Sequence, residues 1–228
     1  MARIILIETS TTLCSAALSE DGKIISYIES TEPRVHASMT APYVKEVLGS
    51  LMVSDCDAVC VSRGPGSYTG LRVGVSTAKG LCFGGGIPLL STGTLETLAF
   101  QGIVEGLLPE GCKYIIPMID ARRMEVYSAV FDPKGNQIRD VKSEIIDSHS
   151  FEKELSEGPV LFIGDAANKC GEVIQSSHAF FFQCCPKASS MAVPAFESFK
   201  EKRFEDLAYF EPFYLKDFVA TVSRKNLF

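Results

Sequence analysis

The residues whose types and spacing suggest chemistry lie in one run, Gly64-Pro65-Gly66-Ser67-Tyr68-Thr69-Gly70-Leu71-Arg72-Val73-Gly74-Val75-Ser76-Thr77-Ala78-Lys79-Gly80. A glycine-rich turn that enters a helix presents backbone N–H groups to an anion, as in phosphate-binding loops. The spacing departs from both common forms of such a loop. Thr69 stands where G-x-G-x-x-G requires its third glycine, and Lys79 is followed by Gly80 rather than by Ser or Thr. Two readings stay open: a tight turn with a helix cap, or an anion site to which Gly64 and Gly66 contribute.

The same run constrains packing. A glycine inside a helix costs about 1 kcal/mol relative to alanine, so Gly70, Gly74 and Gly80 ask for a compensating gain of roughly 2–3 kcal/mol. Leu71, Val75, Ala78 and Cys82 form one apolar stripe at helical spacing, and Gly70, Gly74, Thr77 and Leu81 form a neighbouring stripe of mostly small residues. The second stripe allows another backbone to come close, either within the domain or from a partner chain.

Other reactive side chains are sparse. The three histidines, His36, His149 and His178, include no pair at the i, i+4 spacing of a helical metal site. The eight cysteines follow no C-x-x-C pattern, and Cys14, Cys60 and Cys82 lie in apolar surroundings typical of reduced, buried thiols. Cys184 and Cys185 are adjacent and poorly placed to bridge one another.

The elements that must position these residues come in two similar blocks. The first reads as strands Arg3–Thr9, Ser15–Ser19 and Ile24–Glu29, a helix from about Ala37 to Met52 interrupted by Pro42, a buried strand Ala58–Ser62, the glycine turn and its helix, a strand Pro88–Ser91 and a helix Thr94–Val104. The second reads as strands Lys113–Ile119, Met124–Phe131 and Gln137–Lys142, a helix near Phe151–Ser156, a strand Val160–Gly164 and a helix Ala167–Gln175. A β-β-β-α-β-α order is thus repeated, the second copy shorter, with a boundary near Leu108–Gly111. The expected domains are 1–108 and 109–228, the last segment packing back on the first domain.

A chain of 228 residues, 46% hydrophobic, can bury a full core. Its formal charge of −6 argues against gripping nucleic acid alone, since such affinity comes from clustered Lys and Arg. The run Ile4–Ile7 stops at Glu8, too short for a signal segment, and no apolar stretch reaches membrane-spanning length, so the cytoplasm is the expected compartment.

The repeated order resembles the actin, Hsp70 and sugar-kinase superfamily, in which two ribonuclease-H-like subdomains face each other across a nucleotide cleft. More specific are the opening Ile4-Ile5-Leu6-Ile7-Glu8-Thr9-Ser10-Thr11, the Gly64–Gly80 run, Ser91-Thr92-Gly93-Thr94-Leu95-Glu96, Asp120-Ala121-Arg122-Arg123-Met124-Glu125-Val126-Tyr127 and Pro212-Phe213-Tyr214-Leu215-Lys216. Together these resemble the TsaB (YeaZ) family. The resemblance covers most of the chain and implies a non-catalytic subunit that pairs with the related enzyme TsaD, with the ATPase TsaE acting on the pair. It supports transfer of threonylcarbamoyl to N6 of the adenosine beside the anticodon in tRNAs reading ANN codons.

On that resemblance, TsaD-like members carry a His-x-Glu-x-His type metal motif where this chain has Thr94-Leu95-Glu96-Thr97-Leu98, which leaves no imidazole ligand. The first strand turn, Glu8-Thr9-Ser10-Thr11, lacks the Asp and Gly that kinases place against ATP phosphates. No catalytic residue, metal or cofactor is therefore expected. Gly164 and Asp165 remain a candidate adenosine contact beside the alternative of an N-cap aspartate. His36-Ala37-Ser38 departs from the family's usual His-Ser-Glu opening, and Asp120–Tyr127 reads equally as an ion-pair cluster or as a contact. Partner binding is expected on Gly70, Gly74 and Thr77 with Met39 and Tyr43 of the preceding helix. Arg224 and Lys225 read as a basic tail that could touch tRNA phosphate. The competing readings are a metallopeptidase or an ATPase of the glycoprotease-like family, and a homodimeric scaffold.

Overall fold

The run Ile4–Ile7 is apolar without alternation because both faces of its strand are covered. Ile5 and Ile7 point to one core, among Val44, Val47, Val75 and Ala78, while Ile4 and Leu6 point to another, among Ala188, Met191 and Ala195. The computed structural model describes residues 1–215. Lys216, Arg224 and Lys225, singled out in the sequence, lie outside the described residues.

The element order is β1 (Arg3–Glu8), β2 (Cys14–Glu20), β3 (Lys23–Ser30), α1 (His36–Leu48), β4 (Ala58–Ser62), α2 (Tyr68–Gly85), β5 (Leu89–Thr92) and α3 (Thr94–Val104), then β6 (Tyr114–Asp120), β7 (Glu125–Phe131), β8 (Gln137–Ile145), α4 (Glu152–Glu157), β9 (Val160–Gly164), α5 (Ala167–Gly171), β10 (Ala179–Gln183) and α6 (Ala192–Lys200). The strands form two five-stranded sheets, ordered β3-β2-β1-β4-β5 and β10-β9-β6-β7-β8. Each has the same plan: β1 and β6 pair antiparallel with the next strand and parallel with β4 and β9. This is the doubled α/β arrangement of the actin-like fold.

Each sheet borrows one of its covers. Helices α1 and α2 lie on one face of the first sheet, and its other face is closed by α6 and the short turn Ala188–Met191, which come after the second sheet in sequence. Conversely α3, from the first repeat, packs Leu95, Leu98 and Ala99 on Ile115, Phe131, Leu161 and Ile163 of the second sheet. The opposite face of that sheet is covered by α4 and α5 through Leu155, Cys170 and Ile174. Exchanged covers tie the halves together.

Several boundaries differ from the sequence reading. Helix α1 stops at Leu48 because Gly49, at φ 58°, turns the chain and its N–H caps the carbonyls of Lys45 and Glu46. Strand β10 and helix α6 were not anticipated: Ala179–Gln183 has no period-two pattern, and Pro194 sits inside α6, where the first turn tolerates it. Among the described residues, no helix is long and apolar enough to cross a membrane.

Leu98 is wholly buried between α3 and the second sheet. Leu98→Ala is expected to lose about 2–5 kcal/mol in urea unfolding. A loss under about 1 kcal/mol would show that α3 contributes little to holding the halves.

Candidate functional site

The glycine turn closes on its own chain. Ser67 N–H donates to the Ser10 carbonyl at 2.6 Å, Thr94 N–H to the Gly64 carbonyl at 3.0 Å, and Phe213 N–H to the Arg63 carbonyl at 2.7 Å. The first turn of α2 is capped by Ser67, whose Oγ accepts from Gly70 N–H at 3.3 Å. A Cβ on Gly66 would stand 2.3 Å from the Ser10 carbonyl oxygen, and one on Gly64 2.8 Å from that of Phe213. The space an anion would need holds carbonyl oxygens of like polarity. Gly64 and Gly66 thus serve internal packing, which corrects their reading as anion contacts.

The small-residue stripe also faces inward. A Cβ on Gly70 would lie 2.1 Å from the Thr9 carbonyl oxygen, and one on Gly74 2.3 Å from Thr9 Oγ1, which itself donates to the Gly70 carbonyl at 2.8 Å. Both glycines are buried, and Tyr43 of α1 packs in the core beneath the helices. Gly70, Gly74 and Tyr43 therefore cannot be surface contacts, because their neighbours are β1 and the sheet. Met39 and Thr77 are half-buried, with Met39 against the core edge.

The face of α2 that does meet solvent is turned about a quarter of the helix away. It carries Ser76, Gly80, Phe83 and Gly84; a Cβ on either glycine would meet nothing within 4 Å, and Phe83 is 85% exposed. Alongside it, α1 exposes Ala41, Pro42, Lys45 and Glu46. A shallow depression lined by Met52, Val53, Gly80, Leu81 and Gly84 adjoins this face. Sequence reasoning counted Gly80 among the costly glycines but overlooked Gly84 and Phe83; an aromatic one residue from a helical Gly-Gly pair was the available signal.

The strand turn beneath the glycines holds a buried carboxyl. Glu8 is fully enclosed, and its Oε1 accepts from Ser10 N–H at 2.6 Å. Among the described residues, Glu8 Oε2, Ser10 Oγ and Thr11 Oγ1 have no hydrogen-bond partner. Burial pushes the carboxyl up from 4.5 to about 7, although the bond from Ser10 N–H holds it down in part. With Gly66, Gly70 and Gly74 pressed on Thr9 and Ser10, this turn offers a phosphate no backbone approach.

The metal-motif positions are equally occupied. Thr94 is buried, its Oγ1 paired with Ser62 Oγ at 2.9 Å, and Leu98 lies in the core. The Glu96 carboxylate accepts from Gly93 N–H at 3.3 Å, capping its own helix. The histidines are dispersed: His36 Nε2 meets the Thr11 carbonyl at 2.9 Å, His178 Nδ1 the Leu155 carbonyl at 2.9 Å, and His149 Nδ1 the Glu152 carboxylate at 2.6 Å on the surface. Among the described residues, no three His, Cys, Asp or Glu side chains stand together to hold a metal.

Gly164 and Asp165 have a structural task. Gly164, at φ 139°, brings β9 so close to β6 that a Cβ would lie 2.1 Å from the Met118 carbonyl oxygen. Asp165 is not the N-cap of α5, a place taken by Ala166. Its Oδ1 accepts from Asp120 N–H at 2.8 Å, and burial raises its carboxyl to about 6. Asp165 Oδ1 thus braces the turn after β6. In that turn, Lys169 Nζ donates to Asp120 Oδ1 at 2.5 Å and to the carbonyls of Arg123 and Glu125, both at 2.8 Å.

Comparison with known proteins agrees with the actin-like α/β fold. A family model described as TsaD: tRNA N6-adenosine threonylcarbamoyltransferase matches residues 26–223. The tRNA threonylcarbamoyladenosine biosynthesis protein TsaB of Escherichia coli (strain K12) is 32% identical over 234 residues, covering 96% of this chain and 96% of that protein. The protein of the same name from Bacillus subtilis (strain 168) is 36% identical over 169 residues, covering 71% and 70%. In fold, the chain is similar to YeaZ from Pseudomonas aeruginosa, with a TM-score of 0.81 at 24% identity over 94% of this chain and 100% of that one. The chain belongs to the TsaB (YeaZ) family.

Glu8 supplies a test of the closed turn. A carboxyl whose folded value lies above its unfolded one binds more protons in the folded state between the two. Stability is then highest below pH 4.5, falls as pH rises toward about 7, and levels off above that. Glu8→Gln is expected to remove this slope and, at pH 8, to recover up to about 3 kcal/mol. Urea unfolding of both proteins at pH 5 and pH 8 measures it, and parallel profiles would mean that the carboxyl is hydrated in solution.

Proposed function

We propose that the chain is a non-catalytic subunit in the synthesis of threonylcarbamoyladenosine in tRNA, pairing with TsaD through the outer face of α1 and α2. The observation that carries the reading is the pair Gly80 and Gly84 beside the exposed ring of Phe83. Each helical glycine costs about 1 kcal/mol, and among the described residues neither has a neighbour to compensate. A partner helix crossing there could approach the backbone closely and cover the ring. Thr77 and Met39 fall at the rim of that contact, so these two expected residues keep their proposed role.

The absence of chemistry in this subunit is supported by the filled positions around Thr9, Thr94 and Leu98. Threonylcarbamoyl transfer then resides in TsaD, with TsaE acting on the pair, and this chain shapes and steadies its partner. A second copy of the chain is the competing occupant of the helix face.

Gly80→Arg and Phe83→Asp should each abolish the heterodimer in size-exclusion chromatography while leaving the melting temperature of the isolated chain within a few degrees. Gly80→Ala should stabilise the isolated chain by up to about 1 kcal/mol and still weaken pairing. Variants that pair normally would move the interface elsewhere, and variants that lose only a homodimer would favour the second copy.

In reconstitution with TsaD, TsaE, threonylcarbamoyl-adenylate and substrate tRNA, modified nucleoside should form only when this chain is present. Mass spectrometry of the digested tRNA gives the answer. Undiminished product without the chain would overturn the proposed role.

A further inference from the structure

The tight turn between the antiparallel strands β6 and β7 places arginines where hairpin turns usually have glycine or asparagine. Arg122 and Arg123 both adopt left-handed backbone, at φ 73° and 50°. Glycine or asparagine would occupy such positions with little strain, whereas two consecutive arginines do not. Strain of this kind persists only where the surroundings over-determine it. Here they do. Lys169 holds the turn from within by its bonds to Asp120 and to the carbonyls of Arg123 and Glu125, Asp120 Oδ1 accepts from Arg122 N–H at 2.8 Å, and Asp165 fixes the Asp120 N–H.

These contacts engage the nearby carboxylates and leave the guanidinium groups outside. Both arginines are exposed, and among the described residues neither guanidinium forms a hydrogen bond or a contact ion pair. The Arg122 side chain acts on Asp120 only through space, beside the hydrogen bond from its N–H. The braced turn therefore presents adjacent cationic forks to solvent on a chain whose net charge is −6.

We propose that Arg122 and Arg123 bind the phosphodiester backbone of the tRNA substrate, an inference that rests on the role in tRNA modification proposed above. Guanidinium forks match phosphate oxygens two at a time, and adjacent forks suit a ligand that repeats its charge along a chain. The acidity of the rest of the molecule makes this a local contact. It adds to affinity supplied by the partner, and it orients the RNA instead of gripping it broadly.

The strain makes the contact separable from folding. In the complex of this chain with TsaD, Arg122→Gly combined with Arg123→Gly should leave the melting temperature unchanged or raised, because glycine accepts both backbone conformations. Titrated with unmodified tRNA transcript, the double variant should bind roughly tenfold more weakly, and the slope of log K against log salt should become shallower by about 1–2. Arg122→Lys with Arg123→Lys keeps the charge and loses the fork, so it should retain most of the slope with a smaller loss of affinity.

Unchanged tRNA affinity and salt slope in the glycine variant would overturn the proposal, as would a wild-type complex that binds no transcript. Loss of pairing with TsaD by the variant would overturn it in favour of a protein contact. The modification assay with the wild-type chain tests the wider function separately: full modification together with an indifferent double variant rejects only this inference.

Discussion

The close approach of α2 to the end of β1 sets much of the rest of the structure. Gly66, Gly70 and Gly74 let the turn and the first half of the helix rest on the backbone of Thr9 and Ser10, at separations that no side chain could share. Three consequences follow from that contact. The β1–β2 turn is covered by the glycine-rich segment. Glu8 is shut inside with one carboxylate oxygen unpartnered. The orientation of α2 is fixed, which decides that Gly80, Phe83 and Gly84 face outward.

The exchange of covering elements sets the second constraint. Because α3 closes the second sheet and α6 closes the first, neither half buries its apolar faces without the other. Independent movement of the halves would have to break both exchanged contacts.

Much of this was legible in the sequence, for identifiable reasons. The β1 run announced a strand, Ala58–Ser62 announced a buried one, and Thr94–Val104 carried enough helical signal to be bounded correctly. The glycine stripe announced close packing, but smallness does not say on which side the neighbour lies. Gly70 and Gly74 were therefore read outward when the neighbour is Thr9. Similarly, Asp165 was read as a cap or a ligand because its actual partner, the Asp120 N–H, is 45 positions away. Strand β10 and helix α6 are short, and their places are set by tertiary contact more than by their own pattern.

The glycines of α2 thus divide into two groups that sequence alone cannot separate. Those near its start are required by a neighbour within the chain, and any side chain there collides with backbone or with Thr9. Among the described residues Gly80 and Gly84, further along, meet open space, while Gly85 at the end packs against Val53. In the second half Gly164 is needed by Met118, while the left-handed Arg122 and Arg123 are held by bonds to Asp120 and from Lys169 that leave both side chains exposed. Strain or lost propensity with an internal partner is architecture. The same cost at the surface, on the outer face of α2 and at Arg122 and Arg123, is where the proposed contacts with a partner protein and with tRNA phosphate fall.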